Sequence, residues 1–167
     1  MLFRLYRPQD QAACLEIFDS NCSAYFDVAE RGDFEGFLQG QRHAYAVFES
    51  DGDAIIACGG YSRTHLPAYA HLRWGMVHRA HQGQGIGRQL LQKRLRELSN
   101  DRSVTLVKAF TSTQAKGFYE RAGFVLQSIL PGALGHGFDL CELDYRLGPA
   151  LADADPSADS QDPLRRG

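Results

Sequence analysis

Gly83, Gly85 and Gly87 alternate in the stretch Met76-Val77-His78-Arg79-Ala80-His81-Gln82-Gly83-Gln84-Gly85-Ile86-Gly87-Arg88-Gln89-Leu90-Leu91, between an extended run and an amphipathic one. Glycines spaced this way let a backbone approach a ligand closely and adopt angles that a side chain would forbid. A helix that begins there turns its unpaired N–H groups and the positive end of its dipole toward the same place. The chemistry this favours is the binding of a pyrophosphate. Two familiar loops of that kind do not fit. A dinucleotide loop, G-x-G-x-x-G, would need glycine at position 88, which is Arg88, and the G-K-S/T of an ATPase loop does not occur in the chain.

The spacing that does fit is Q/R-x-x-G-x-G/A, met by Gln82, Gly85 and Gly87. Further on stands Ser112-Thr113-Gln114-Ala115-Lys116-Gly117-Phe118-Tyr119-Glu120-Arg121-Ala122-Gly123-Phe124. It is similar to N-x-x-A-x-x-x-Y-E-x-x-G-F, with Ser112 in the place of the asparagine. In these two segments, in this order and with a helix and a strand between them, the chain resembles the GNAT superfamily of acetyl-CoA-dependent N-acetyltransferases. The motifs cover about a third of the chain, and the order of elements extends the likeness from the first strand to Leu147.

The resemblance implies an α/β fold with one mixed, mostly antiparallel sheet of six to seven strands. Helices would cover both faces, and the two central strands would splay. Acetyl-CoA, as co-substrate, would lie in the splay. Backbone groups of Met76 and Val77 would hold the pantetheine and polarise the thioester, and the N–H groups of Gly83, Gln84, Gly85, Ile86, Gly87 and Arg88, behind Gln82, would hold the pyrophosphate. Tyr119 falls on the general acid that protonates the departing thiolate. Ser112 either contacts the pantetheine or caps the last helix. The glutamate that many relatives use as base is absent, because its place is Val107. His71, near the start of the strand that leads to the loop, is the candidate, with deprotonation through ordered water as its competitor. His78 and His81 flank the loop, at its mouth or in solvent. Tyr25, Phe26, Glu30 and the loop from Gly132 to Asp139 are candidates for the acceptor pocket.

The elements that must position these residues read as follows. Leu2 to Tyr6 alternates as a strand, and Asp10 is placed to cap a helix carrying Ala13, Cys14, Ile17 and Phe18. A second helix is expected over Ala29 to Leu38. Strands at Ala44 to Glu49 and Ala54 to Tyr61 flank a hairpin turn, and an extended run covers Ala70 to His78. Gly85 to Asn100 is the clearest helix, with Ile86, Leu90, Leu91, Leu95 and Leu98 on its apolar face and Arg88, Lys93, Arg94 and Glu97 expected outside it. A strand at Val104 to Phe110 leads to a helix at Gln114 to Ala122, stopped by Gly123. Two final strands, Val125 to Leu130 and Phe138 to Leu147, close a domain over residues 1–147. The segment 148–167 is rich in Ala, Asp, Pro and Ser and is expected to be a disordered tail.

Composition narrows the function classes. A net charge of -2, with scattered Lys and Arg, gives no drive toward nucleic acid or an acidic membrane. No apolar stretch approaches the ~20 residues of a membrane span, and the N-terminus has no signal-peptide core. Cys14, Cys22, Cys58 and Cys141 lack the spacing of a metal or redox motif, so no metal is expected. These features suit a cytoplasmic protein with reduced thiols. The resemblance implies transfer of the acetyl group to a primary amine, on a small molecule, a protein N-terminus or lysine, by direct attack in a ternary complex. A non-catalytic acyl-CoA-binding sensor is the alternative from another class. Dimers are common in the family, but no segment here marks an interface.

Overall fold

The computed structural model describes residues 2–40, 44–135 and 137–148. Its strands are β1 (Leu2–Leu5), β2 (Tyr45–Glu49), β3 (Ile55–Arg63), β4 (Tyr69–Val77), β5 (Leu106–Ser112), β6 (Val125–Leu130) and β7 (Leu140–Arg146). Its helices are α1 (Gln11–Asn21), α2 (Arg31–Gly40), α3 (Ile86–Ser99) and α4 (Thr113–Arg121). The strands form one seven-stranded sheet in the order β1-β2-β3-β4-β5-β7-β6, antiparallel except for β4 beside β5. This is the mixed sheet expected. Of the segment 148–167, expected to be a tail, all but Gly148 lies outside the described residues. Among the described residues no helix is long and apolar enough to cross a membrane.

Helices cover both faces of the sheet. On one face α1 and α2 bury Cys14, Ile17, Phe18, Phe34 and Leu38 against Tyr45, Val47, Cys58 and Met76. On the other, α3 and α4 bury Leu91, Leu98 and Tyr119 against Ala70, Leu72, Val107, Ala109 and Leu143. Ile86, Leu90, Leu91 and Leu98 of α3 are each 1% exposed, and full burial of such a side chain is worth about 1.5–3 kcal/mol. Two expectations are corrected here. Arg94, expected on the outer side of α3, is only 2% exposed. Asp10 stands at the N-cap of α1 without capping it; its carboxylate accepts the Arg7 N–H at 2.7 Å and pairs with Arg4 at 2.7 Å.

Two irregularities in the sheet matter for function. The first is a bulge between β3 and β4: Cys58 pairs with Met76 and Gly60 with Arg73, so Trp74 and Gly75 together oppose Gly59. The bulge reverses the alternation of β4. Leu72 faces the α3/α4 cluster, whereas Trp74 and Met76 face the α1/α2 cluster. Trp74 takes φ 42°, which is strained for a large side chain. It is held by Phe34, Phe26, Phe18 and Phe37 at 5.0, 6.1, 6.3 and 6.4 Å between ring centroids. The buried Tyr45 hydroxyl also donates to its carbonyl at 3.0 Å. The second irregularity is a fork. β4 and β5 pair only over residues 69–71 and 106–108, although β4 runs on to Val77 and β5 to Ser112.

Candidate active site

The site is built from the fork and the turn beyond β4. After Val77 a single 3-10 turn at Arg79–His81 leads into Gln82 and the glycines. Gly83 and Gly85 have φ of 76° and 80°, the left-handed region where glycine carries no steric penalty. Gly85 is the N-cap of α3, and the first intrahelical bond runs from the Gln89 N–H to its carbonyl at 3.1 Å. The N–H groups of Ile86, Gly87 and Arg88 therefore have no partner within the helix, and the helix dipole adds to their positive field. At Gly87 an added Cβ would rest in ordinary contact with Phe118 at 3.4 Å and Val77 at 3.6 Å, so α3 starts close against α4 and β4.

A cavity of about 920 Å³ opens in the fork. Met76, Val77, Gln82, Gly83, Gly85, Ile86, Gly87, Arg88, Ser112 and Tyr119 line it, so one hollow gathers these sequence-predicted residues. Gln84 and His71 are not among its lining residues. Tyr25, Phe26 and His81 line it as well. His78 turns its Nδ1 inward to accept the Ala80 N–H at 3.2 Å.

The structure refines the expected roles. Gln82 does not reach forward along the turn. Its Nε2 donates to Asn21 Oδ1 at 2.7 Å and to the Val77 carbonyl at 3.2 Å, while Asn21 Nδ2 donates to the same carbonyl at 3.0 Å. Both lone pairs of that carbonyl are thus engaged. The amide pair clamps the turn to the end of α1, and the carbonyl of Val77 is not free to meet a ligand. Ser112 occupies the N-cap of α4, yet its side chain makes no capping bond, contrary to the capping alternative. Its Oγ is the one buried side-chain nitrogen or oxygen without a hydrogen-bond partner among the described residues. An unsatisfied buried hydroxyl costs free energy that a ligand can return, and this one stands at the wall of the cavity.

His71 lies at the base of the fork, opposite Lys108 in the last parallel pair. It alternates with Ala70 and Leu72, which are buried under α3 and α4, so it faces the opposite side of the sheet, edge-on to Phe110 at 5.2 Å. Burial, with Arg73 and Lys108 nearby, depresses its pKa below the ordinary histidine value, and Glu142 opposes the shift. Lys108 in turn pairs with Glu142 at 2.6 Å and Asp144 at 3.0 Å. Val107, at the usual place of the base, is fully buried. The two acidic candidates for the acceptor pocket serve local turns. Glu30 accepts the Asp27 N–H at 2.9 Å and Asp139 the Gly132 N–H at 2.9 Å. Burial raises the pKa of Glu30.

Among the residues of the cavity wall that sequence reasoning did not assign to the site, Asn21 and Arg94 matter most. Asn21 gave no signal beyond its place at the end of a helix. Arg94 did, because it stands four residues from both Leu90 and Leu98, inside the apolar stripe. None of the four cysteines lines the cavity. Among the described residues there is also no group of three or more His, Cys, Asp or Glu side chains suited to a metal ion.

The structure is an α/β domain whose forked sheet opens a cavity beside a left-handed glycine turn and a helix N-terminus. The family model of the acetyltransferase (GNAT) domain matches residues 41–126, just over half of the 167-residue chain. A candidate acetyltransferase of the GNAT family from Desulfovibrio desulfuricans superimposes with a TM-score of 0.72 at 23% identity, over 87% of this chain and 98% of its own. A candidate acetyltransferase from Salmonella typhimurium, solved with its cofactor acetyl-CoA, gives 0.69 at 20% identity, over 95% of this chain and 98% of its own. A phosphinothricin acetyltransferase from Sinorhizobium meliloti, in complex with acetyl-CoA, gives 0.69 at 18% identity, over 88% of each chain. A comparison with curated proteins gives no match. The chain belongs to the GNAT acetyltransferase family and is an enzyme of that type.

Proposed function

We propose that this enzyme transfers the acetyl group of acetyl-CoA to a primary amine by direct attack in a ternary complex. One observation carries the reading: the N-terminal turn of α3, the orphan hydroxyl of Ser112 and Tyr119 all line a single cavity in the fork. The N–H groups of 86–88 would hold the pyrophosphate, and the Ser112 hydroxyl would find its missing partner on the pantetheine arm. The Val77 carbonyl is engaged, so the contact that polarises the thioester carbonyl would be a backbone N–H of Met76 or Val77. The acceptor would enter past Tyr25 and Phe26, which line the cavity from the connection between α1 and α2.

In the reaction the amine nitrogen attacks the thioester carbon and a C–N bond forms. The C–S bond breaks with its electron pair left on sulfur. The Tyr119 O–H supplies the proton that sulfur takes up, and the proton lost by the amine leaves through water or to His71, at the base of the fork. The products are the amide and the free thiol of coenzyme A. Direct attack is favoured over a covalent acyl-enzyme because no cysteine reaches the cavity.

The test is turnover of acetyl-CoA against a panel of small amines and peptides, with wild type beside Tyr119→Phe. A general acid is worth about 10²–10⁴ in rate. The variant should lose activity on that scale, with its affinity for acetyl-CoA within about twofold of wild type. Equal turnover by the two proteins would remove Tyr119 from the chemistry. Tight acetyl-CoA binding with no turnover on any amine would favour a sensor.

A further inference from the structure

Arg94 is the only buried cation among the described residues, at 2% exposure. A slot in the sheet is cut for it. A side chain at Gly75 would stand 2.7 and 2.8 Å from its Nη1 and Nη2, and one at Gly59 would stand 3.3 Å from Nη1. Its donors are poorly used: Nε–H reaches the Leu90 carbonyl of its own helix at 3.3 Å and Nη1 the Gly60 carbonyl at 3.4 Å, both long. None of the ion pairs among the described residues includes it. The polar groups that act on its charge are the Tyr119 hydroxyl of α4, through hydrogen bonding as well as charge, and, through charge alone, Tyr45 of β2 and Cys58 of β3. Burial works against its charge, and the Tyr119 and Tyr45 hydroxyls are the largest opposing influences. A guanidinium nonetheless stays protonated in proteins. A buried cation without an anion is destabilising, and an apolar side chain of similar volume would fill the slot without that penalty. Arg94 also lines the cavity in the fork, as Tyr119 does.

We propose that Arg94 is a positioning residue for acyl transfer, whose guanidinium holds the Tyr119 hydroxyl and offsets the negative charge that gathers on the departing sulfur. The proposal rests on the reading of Tyr119 as the general acid. When the C–S bond breaks, its electron pair stays on sulfur. When the phenol proton moves to that sulfur, the same single negative charge moves to the phenolate, until water returns a proton. One cation beside Tyr119 serves both ends of that transfer. The anion that Arg94 lacks at rest is thus supplied by the reaction itself.

The first experiment needs no acceptor: calorimetric titration of wild type and Arg94→Met with coenzyme A and with its desulfo analogue, across rising pH, beside the melting temperature of each protein. In wild type the preference for coenzyme A over the desulfo analogue should grow as the thiol ionises. It should reach roughly 10-fold or more, the scale of a hydrogen bond to a charged group. In Arg94→Met the preference should stay flat, and the protein should melt no lower than wild type. With an amine from the turnover screen, Arg94→Met should lower kcat by roughly 10- to 100-fold beside Tyr119 and by less than about twofold beside Tyr119→Phe. A merely structural arginine would lower kcat equally in both backgrounds, and that result overturns the proposal. If Arg94→Met fails to fold, Arg94→Lys takes its place: the retained charge should keep the pH-dependent preference, and its loss there counts against the idea. A wild type that binds neither ligand defeats the acetyl-CoA reading together with this one. A wild type that binds both equally at every pH defeats this one alone.

Discussion

Gly85 offers the sharpest test of where the phosphates sit, because two substitutions there share one cost and differ in another. Its φ is 80°, and a side chain added to it meets no atom within 4 Å. The penalty for Gly85→Ala is therefore pure backbone strain, about 1–2 kcal/mol. For a domain of this size each kcal/mol lowers Tm by about 2–4 °C, so the apo protein should melt about 2–8 °C lower. Gly85→Glu carries the same strain, but its carboxylate sits at the positive end of α3 and recovers about 0.3–1 kcal/mol. Without ligand, the glutamate variant should melt at or above the alanine variant. With acetyl-CoA the order reverses. Two unit charges about 4 Å apart near a protein surface repel by about 4 kcal/mol. Residue 85 is exposed, and halving that figure for solvent still leaves about 2 kcal/mol, or roughly 30-fold in Kd. Calorimetry at low salt, with melting curves of both apo proteins, measures both effects. The excess loss in Gly85→Glu should shrink as added salt shortens the screening length to about 10 Å near 0.1 M. Equal Kd values for the two variants at low salt would refute the placement of the pyrophosphate at the start of α3.

Two further outcomes follow from groups whose surroundings are unusual. Ser112→Ala removes a buried hydroxyl that has no partner, so the apo protein should keep its Tm or gain up to about 1 kcal/mol of stability, while its affinity for acetyl-CoA falls several-fold. A clear drop in apo stability would mean that the hydroxyl is already satisfied. His71 must be neutral to take a proton, and burial depresses its pKa below the ordinary value of about 6.5. The acidic limb of kcat/KM should therefore lie below about pH 6.5 and vanish in His71→Ala, and a limb unmoved by that substitution would assign the base elsewhere.

The parts of the fold legible in the sequence are those with a local period or a local turn chemistry. The stripe Ile86, Leu90, Leu91, Leu98 predicts α3 over Gly85 to Asn100, and the helix spans Ile86–Ser99. The glycine alternation ahead of it places the left-handed turn. Non-local pairing leaves no such trace. Nothing in Tyr69–Val77 announces that Trp74 and Gly75 will share one partner, so simple alternation would put His71 and Val77, six residues apart, on the same face. The bulge puts them on opposite faces: Val77 packs with Ile86 and Leu90, and His71 turns to Phe110. Arg94 was legible in spacing and misread by residue type, since a charged residue in an apolar stripe is ordinarily taken to point outward. Asn21 could be placed only by the structure, because its partners Val77 and Gln82 lie 56 and 61 residues away.

The two irregularities of the sheet and the strained turn meet at one place, and each supplies something that a regular sheet cannot. A flat ladder between β4 and β5 would satisfy its own backbone and leave no room for a ligand, whereas the fork ends that pairing at His71 and Lys108. A β4 without the bulge would turn Met76 to the side of Leu72, away from the α1/α2 layer on which Tyr25 and Phe26 approach. It would also have no Gly75 opposite Gly59 to admit a guanidinium. The left-handed glycines then aim the start of α3 back at the opening. Each feature is locally unfavourable, and each is fixed by contacts outside it: Trp74 by four phenylalanines, the Val77 carbonyl by two side-chain amides, Arg94 by the helix it rides on. Strain that is confined in this way does not relax when a ligand arrives, so the cavity in the fork should be largely preformed. Binding energy from the coenzyme is then available to orient the thioester against Tyr119 instead of assembling the site.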